Sequence, residues 1–203
     1  MGMENSAGQD KERPLVNIVA ERVALGPLRR DLLPLYLRWI NDLPAARNLN
    51  MLPPHTLEQE EQWYDSAANK TDGRTFTIYE AATWRPIGTT ELTSINFQHR
   101  RAVFGIFIGT ADCRGKGYGT ETARLVLDYA FTALGLHNVM LRVYSFNKVG
   151  LRAYEKAGFR EFGRRHECYY SAGHLWDDVY MECLASAFVS PVLAHVLAPD
   201  EQK

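Results

Sequence analysis

The chain holds 203 residues, enough for one domain with a substantial core. A hydrophobic share of 46%, a charged share of 23% and a formal net charge of −1 describe a globular protein and give no electrostatic case for nucleic acid or an anionic membrane as partner. No apolar run approaches the roughly 18 residues of a membrane span, and "MGMENSAGQDKER" lacks the apolar centre of a secretory signal, so a cytoplasmic protein is expected.

Residues 1–14 read as a loose tail. "RVALGPL" reads as a strand closed by Gly-Pro. "RDLLPLYLRWIND" reads as a helix, with Asp31 placed to cap it and Pro34 in the first turn, where no amide partner is needed. "HTLEQEEQWYDSAANK" opens with a capping box, Thr56 and Gln59, and its acids Glu58, Glu60, Glu61 and Asp65 read as a solvated face.

Three strands follow. "TFTIYEA" and "PIGTTELTSINF" are separated by a hairpin-length break, and "AVFGIFIG" is apolar enough to be buried on both faces. From Tyr118 to Leu134 the period changes to that of a helix. Glu121, Arg124, Asp128 and Thr132 share a polar face, so the apolar remainder should lie flat on a sheet.

"NVMLRVYSF" returns to strand. "NKVGLRAYEKAG" is a short helix capped by Asn147 and stopped by Gly158. Two strands around a "SAG" turn end the pattern. The order β-α-α-β-β-β-α-β-α-β-β makes one α/β domain, residues 15–185, with a mixed central sheet of six to seven strands flanked by helices. Residues 186–203 form a C-terminal extension.

Cys113, Cys168 and Cys183 are spaced like neither a disulfide framework nor a zinc knuckle, and the six histidines form no ligand pair. No metal is expected.

The chemistry concentrates in "FGIFIGTADCRGKGYGTETARLVLDYAF". A strand, a glycine loop and a long helix together make an anion site: first-turn amides point outward unpaired and carry about +0.5 of partial charge. Glycines let the anion approach the backbone, and Arg114 and Lys116 add charge. The loop lacks the Lys-Ser/Thr end of a Walker A motif and the spacing of a dinucleotide fingerprint.

"RGKGYG" resembles the Q/R-x-x-G-x-G/A loop of the GNAT acyltransferase superfamily through Arg114, Gly117 and Gly119. "NKVGLRAYEKAGF" is similar to that family's second motif, with Asn147 at a strand end and Tyr154 on the next helix. The resemblance covers about half the chain, Pro86 to Leu184, with weaker similarity in "LRWINDLPAARN". It implies a GNAT-like fold, acetyl-CoA as cosubstrate and acetyl transfer to a primary amine by direct attack on the thioester.

The resemblance further implies that the pyrophosphate meets the amides of Arg114, Gly115, Lys116, Gly117, Tyr118, Gly119 and Thr120. Pantetheine lies along Ile106, Phe107 and Ile108, the strands on either side of it splay apart, and Asn147 reaches the same arm. Tyr154 is the proton donor to the departing thiolate, and a backbone N–H of "FGIFI" meets the oxyanion.

The base departs from the family pattern. Many members carry a Glu on the strand before the loop, where this chain has Val103 and Phe104. Glu91 on the preceding strand is the substitute, with a water relay as the alternative. The acceptor is a protein N-terminus or a small-molecule amine, by similarity to ribosomal-protein N-terminal acetyltransferases. Similarity to spermidine acetyltransferases offers a polyamine instead, for which Glu58, Glu60, Glu61, Glu91 and Asp177–Asp178 are the candidate carboxylates. A noncatalytic acyl-CoA-binding module is the rival, against which Asn147 and Tyr154 argue. A homodimer is compatible with all of these.

Overall fold

The computed structural model describes residues 13–49 and 54–200. Most of the expected tail lies outside them, although Arg13 and Pro14 are placed, the Arg13 guanidinium 4.3 Å above the Trp84 ring.

Strands β1 (Ile18–Val19) and β2 (Val23–Pro27) form a hairpin. Helices α1 (Leu33–Ile40), α2 (Leu43–Ala46) and α3 (Leu57–Ala68) follow. Next come β3 (Arg74–Glu80), β4 (Pro86–Asn96) and β5 (Arg101–Ile108) as an antiparallel meander. Helix α4 (Tyr118–Asp128) crosses to β6 (Asn138–Tyr144), and α5 (Lys148–Ala157) leads to β7 (Arg160–Ser171) and β8 (His174–Leu184). A short helix, α6 (Leu193–Val196), closes the described chain.

The eight strands of the described residues form one sheet in the order β1-β2-β3-β4-β5-β6-β8-β7, with β5–β6 its parallel pair. The strand beyond the expected six to seven is β1, whose two residues are too few to leave a period. Helices α1 and α3 cover one face: the Tyr36 hydroxyl meets Thr77 Oγ1 of β3 at 2.6 Å, and Trp63 packs edge-on against Tyr36. Helices α4 and α5 cover the other, over a core that includes Phe76, Ile78, Leu92, Phe104, Leu125 and Leu141.

Five local expectations change. Asp31 does not cap α1: its carboxylate takes two bonds from Arg29, and a 3-10 turn, Arg30–Leu32, leads into the helix. Thr56 and Gln59 do form their capping box, but Glu60 is only 7% exposed, because α3 turns it inward.

Helix α4 ends at Asp128 and passes into a π-helical turn, Tyr129–Ala133. Asp128 is fully buried because residues beyond β8 fold over it, its Oδ2 accepting the N–H of Val192 and of Leu193. Strand β5 is not buried on both faces: Gly105 to Ile108 are half-buried, since this half borders an open cleft.

Candidate active site

Strands β5 and β6 pair in parallel at Arg101–Asn138, Ala102–Val139 and Val103–Met140, and no further. Beyond Val103 they diverge, so among the described residues this stretch of β5 has no strand partner on that side, and it borders a cleft of about 1220 Å³. Unpaired strand backbone is costly unless something bonds it. An extended molecule carrying amides suits such an opening.

At one end of the cleft lies the glycine loop. Gly115 (φ 75°) and Gly117 (φ 89°) take the left-handed conformation that side chains disfavour. Gly119 does not; a Cβ there would meet nothing within 4 Å, so its absence simply leaves room. The first bond of α4 runs from Glu121 N–H to Gly117 O, which leaves the amides of Tyr118, Gly119 and Thr120 as the orphan donors of a helix start.

The loop's cations are placed otherwise than expected. The Arg114 guanidinium folds back onto the exit of β5, donating to Ile108 O (3.3 Å) and Gly109 O (2.9 Å), and lies 3.7 Å from Asp42. Neither Lys116 nor Tyr118 lines the cleft, and the Tyr118 hydroxyl donates to Glu80 Oε1 at 2.5 Å. Arg114 still lines the cleft, and the other cations that line it include Lys148, Arg152 and Lys156 of α5. Their spacing of four residues is readable in the sequence, though not what it faces.

Glu91 and Tyr154 approach the opening from opposite faces of the sheet. The registers Thr75–Glu91–Gly105 and Thr89–Phe107 put Glu91 on the face covered by α1 and α3. Phe104 lies on the other face, where Tyr154 packs edge-on against it at 6.1 Å and meets Phe159 at the same distance. Burial pushes the Glu91 carboxyl above its ordinary value, with Lys70 pulling weakly the other way. Burial likewise pushes the Tyr154 phenol up to about 12. Its hydroxyl has no hydrogen-bond partner among the described residues, so it is available to a guest. Asn147 lines the cleft too, its Oδ1 capping α5 through Gly150 N–H at 2.9 Å while its amide NH₂ remains outside that bond.

The aromatic side of the cleft was not legible in the sequence. Tyr36, Trp39 and Trp63 form an aromatic wall, and the Trp39 indole fits because residue 109 is glycine. Among the described residues lining the cleft, the acids are Glu60 and Glu91, and burial raises the Glu60 carboxyl as well. The other expected carboxylates lie elsewhere: Asp178 bonds Arg142 at 3.1 Å, Asp177 faces Arg164 and His166, and Glu58 and Glu61 do not line the cleft.

Residues 22–160 match the family model described as Acetyltransferase (GNAT) domain. The chain belongs to the GNAT acetyltransferase family. It is 32% identical over 158 residues to spermidine N(1)-acetyltransferase of Vibrio cholerae, covering 76% of this chain and 90% of that one. It is also 32% identical to the Escherichia coli spermidine N(1)-acetyltransferase, over 69% and 74% of the two chains. A solved structure of the Vibrio cholerae enzyme with CoA and spermine superposes with a TM-score of 0.75 at 30% identity, over 82% of this chain and 97% of that one.

This GNAT protein is an acetyl-CoA-dependent N-acetyltransferase. Among the described residues no group of three or more His, Cys, Asp or Glu is arranged to hold a metal, and no helix is long and apolar enough to cross a membrane.

Proposed function

We propose that the acceptor is an aliphatic polyamine, bound with one primary amine beside Glu91. The observation that carries this reading is the lining of the acceptor end: two desolvated acids, Glu60 and Glu91, against the aromatic wall of Tyr36, Trp39 and Trp63. An alkylammonium chain is matched by that pairing. Its methylenes bury against aromatic faces, which also attract the cation, and its ammonium groups need carboxylates. The relatives' names, spermidine N(1)-acetyltransferases, support the same class.

The chemistry then divides among residues of the chain. The first-turn amides of Gly119 and Thr120, which line the cleft, bind the pyrophosphate of acetyl-CoA, and free β5 backbone pairs with its pantetheine amides. An alkylamine with a pKa of about 10.4 is mostly charged at neutral pH, so it must lose a proton before it can attack. Glu91 takes that proton, and its raised pKa brings its basicity closer to working pH. A β5 N–H meets the charge developing on the thioester oxygen. Tyr154 supports the departing thiolate from the other face.

The peptide N-terminus is the second reading. The test is CoA release from acetyl-CoA with spermidine, spermine, Ser- and Ala-initiated peptides, aminoglycosides and amino sugars. We expect spermidine or spermine to give the highest kcat/KM. Preference for a peptide would overturn the polyamine assignment, and acetyl-CoA binding without turnover of any amine would return the protein to a binding module.

A further inference from the structure

Polar bonds from a neighbouring hairpin reach the glycine loop and its flanks. A Cβ at Gly115 or Gly119 would touch nothing within 4 Å, and a separate hollow of about 500 Å³ lies behind the loop, bordered by Glu80, Thr83, Trp84, Arg85 and Asp112. From beside this space the β3–β4 hairpin reaches the loop and its flank twice. Glu80 Oε1 accepts from the Tyr118 hydroxyl at 2.5 Å while its Oε2 accepts from Thr83 Oγ1 at 2.5 Å. The Arg85 guanidinium donates to Asp112 Oδ2 at 2.8 Å and to Cys113 Sγ at 3.0 Å.

We propose that Glu80 is a positioning residue for acetyl-CoA: through the Tyr118 hydroxyl it fixes the start of α4, so that the loop amides are aligned before the pyrophosphate arrives. The proposal rests on the reading of this loop as the pyrophosphate site. Three glycines in five residues make a segment with much conformational freedom to lose. Ordering it during binding weakens affinity, and ordering it beforehand removes that loss. Tyr118 is well suited to transmit the constraint, since its ring packs against the main core and its amide is one of the orphan donors. The two bonds also hold the Glu80 carboxyl below its ordinary value, so the acceptor stays charged at neutral pH.

The experiment is titration calorimetry with acetyl-CoA on Glu80→Ala, Tyr118→Phe, the double variant and Glu80→Gln, with steady-state kinetics on Glu80→Ala. Each single change should weaken binding by about five- to tenfold, the loss expected of one well-placed hydrogen bond. The double variant should lose no more than the worse single one, because both remove the same bond. Glu80→Gln, which keeps an acceptor oxygen, should recover most of the affinity, and kcat for Glu80→Ala at saturating acetyl-CoA should stay within about twofold. Affinity within about twofold of the parent in both single variants, or additive losses in the double, would overturn the proposal. Gly119→Val separates the two levels. If it abolishes binding while Glu80→Ala does not weaken it, the brace fails alone. If neither matters, the loop itself is not the pyrophosphate site.

Discussion

Glu91 and Gly105 stand opposite each other on β4 and β5, and the carboxylate lies across the glycine's bare backbone: a Cβ at 105 would sit 3.1 Å from Glu91 Oε1. The missing side chain leaves room for the acid near the point where β5 loses its pairing with β6. A side chain at 105 would push the carboxylate off the strand, so Gly105→Ala should lower kcat in the same direction as loss of the acid itself.

Glu91→Gln should lower the rate most at low pH, with the deficit shrinking toward the amine's own pKa of about 10.4, where the acceptor deprotonates unaided. Its effect on stability has the opposite sign. Because burial raises the Glu91 pKa, the folded state holds the proton more tightly than the unfolded one. The stability lost to its ionisation is absent below the unfolded pKa and complete above the folded one. Glu91→Gln should therefore raise the melting temperature of the free protein at pH 8 more than at pH 4. A pH–rate profile superimposable on the parent's would remove Glu91 from the proton transfer.

Gly119→Val should abolish measurable acetyl-CoA binding without unfolding the protein. Position 117 is the poorer place for this test: its φ of 89° strains any side chain, and a Cβ there would meet Arg22 Nη1 at 2.8 Å. Position 119 has ordinary helical backbone, and open cleft where the new side chain would go. Circular dichroism should match the parent. Unchanged calorimetric affinity would refute the pyrophosphate assignment.

Asp128→Ala should cost about 2–4 kcal/mol in urea unfolding, because three donors lose their acceptor in a buried place. Those donors are the N–H groups of Val192 and Leu193 and the Thr132 hydroxyl, at 3.0, 2.8 and 2.8 Å. Acetyl-CoA affinity should be preserved, since the contacts are far from the glycine loop in the fold. A stability loss below about 0.5 kcal/mol would mean that residues 188–197 are not latched through this side chain.

Much of this fold is written locally. The Thr56–Gln59 box, the Asn147 cap, the Gly158 stop and the hairpin break between β3 and β4 depend on residues within a turn, and each is found where its pattern puts it. What the pattern misses depends on partners distant in sequence. Asp128 looks like a solvated residue until residues 64 positions later cover it. Glu60 looks solvated until α3 turns it toward the strands of the cleft. The site divides the same way. The loop glycines, Asn147 and Tyr154 are local motifs, whereas the aromatic wall and the retreat of Arg114 onto β5 arise only when α1, α2 and the sheet meet.

Tyr154→Phe isolates the hydroxyl. The ring's edge-on contacts with Phe104 and Phe159 should survive, and no protein hydrogen bond is lost among the described residues. With its pKa pushed up to about 12, the phenol stays protonated across the working range. It is also a weaker acid than a thiol of pKa about 8.5, so it stabilises the departing thiolate by donating a hydrogen bond more than by surrendering its proton. That limits its value. General acid help is typically worth about 10²–10⁴-fold, and the expected loss is near or just below the lower end, about 10- to 100-fold in kcat. KM for acetyl-CoA should change little, because the bond strengthens only as negative charge reaches sulfur. The basic limb of the pH–rate profile should be unmoved, since Tyr154 does not titrate below about 12. Steady-state kinetics with the best amine, in a reaction limited by chemistry, decides it. A kcat within about twofold of the parent would leave Tyr154 as a core aromatic.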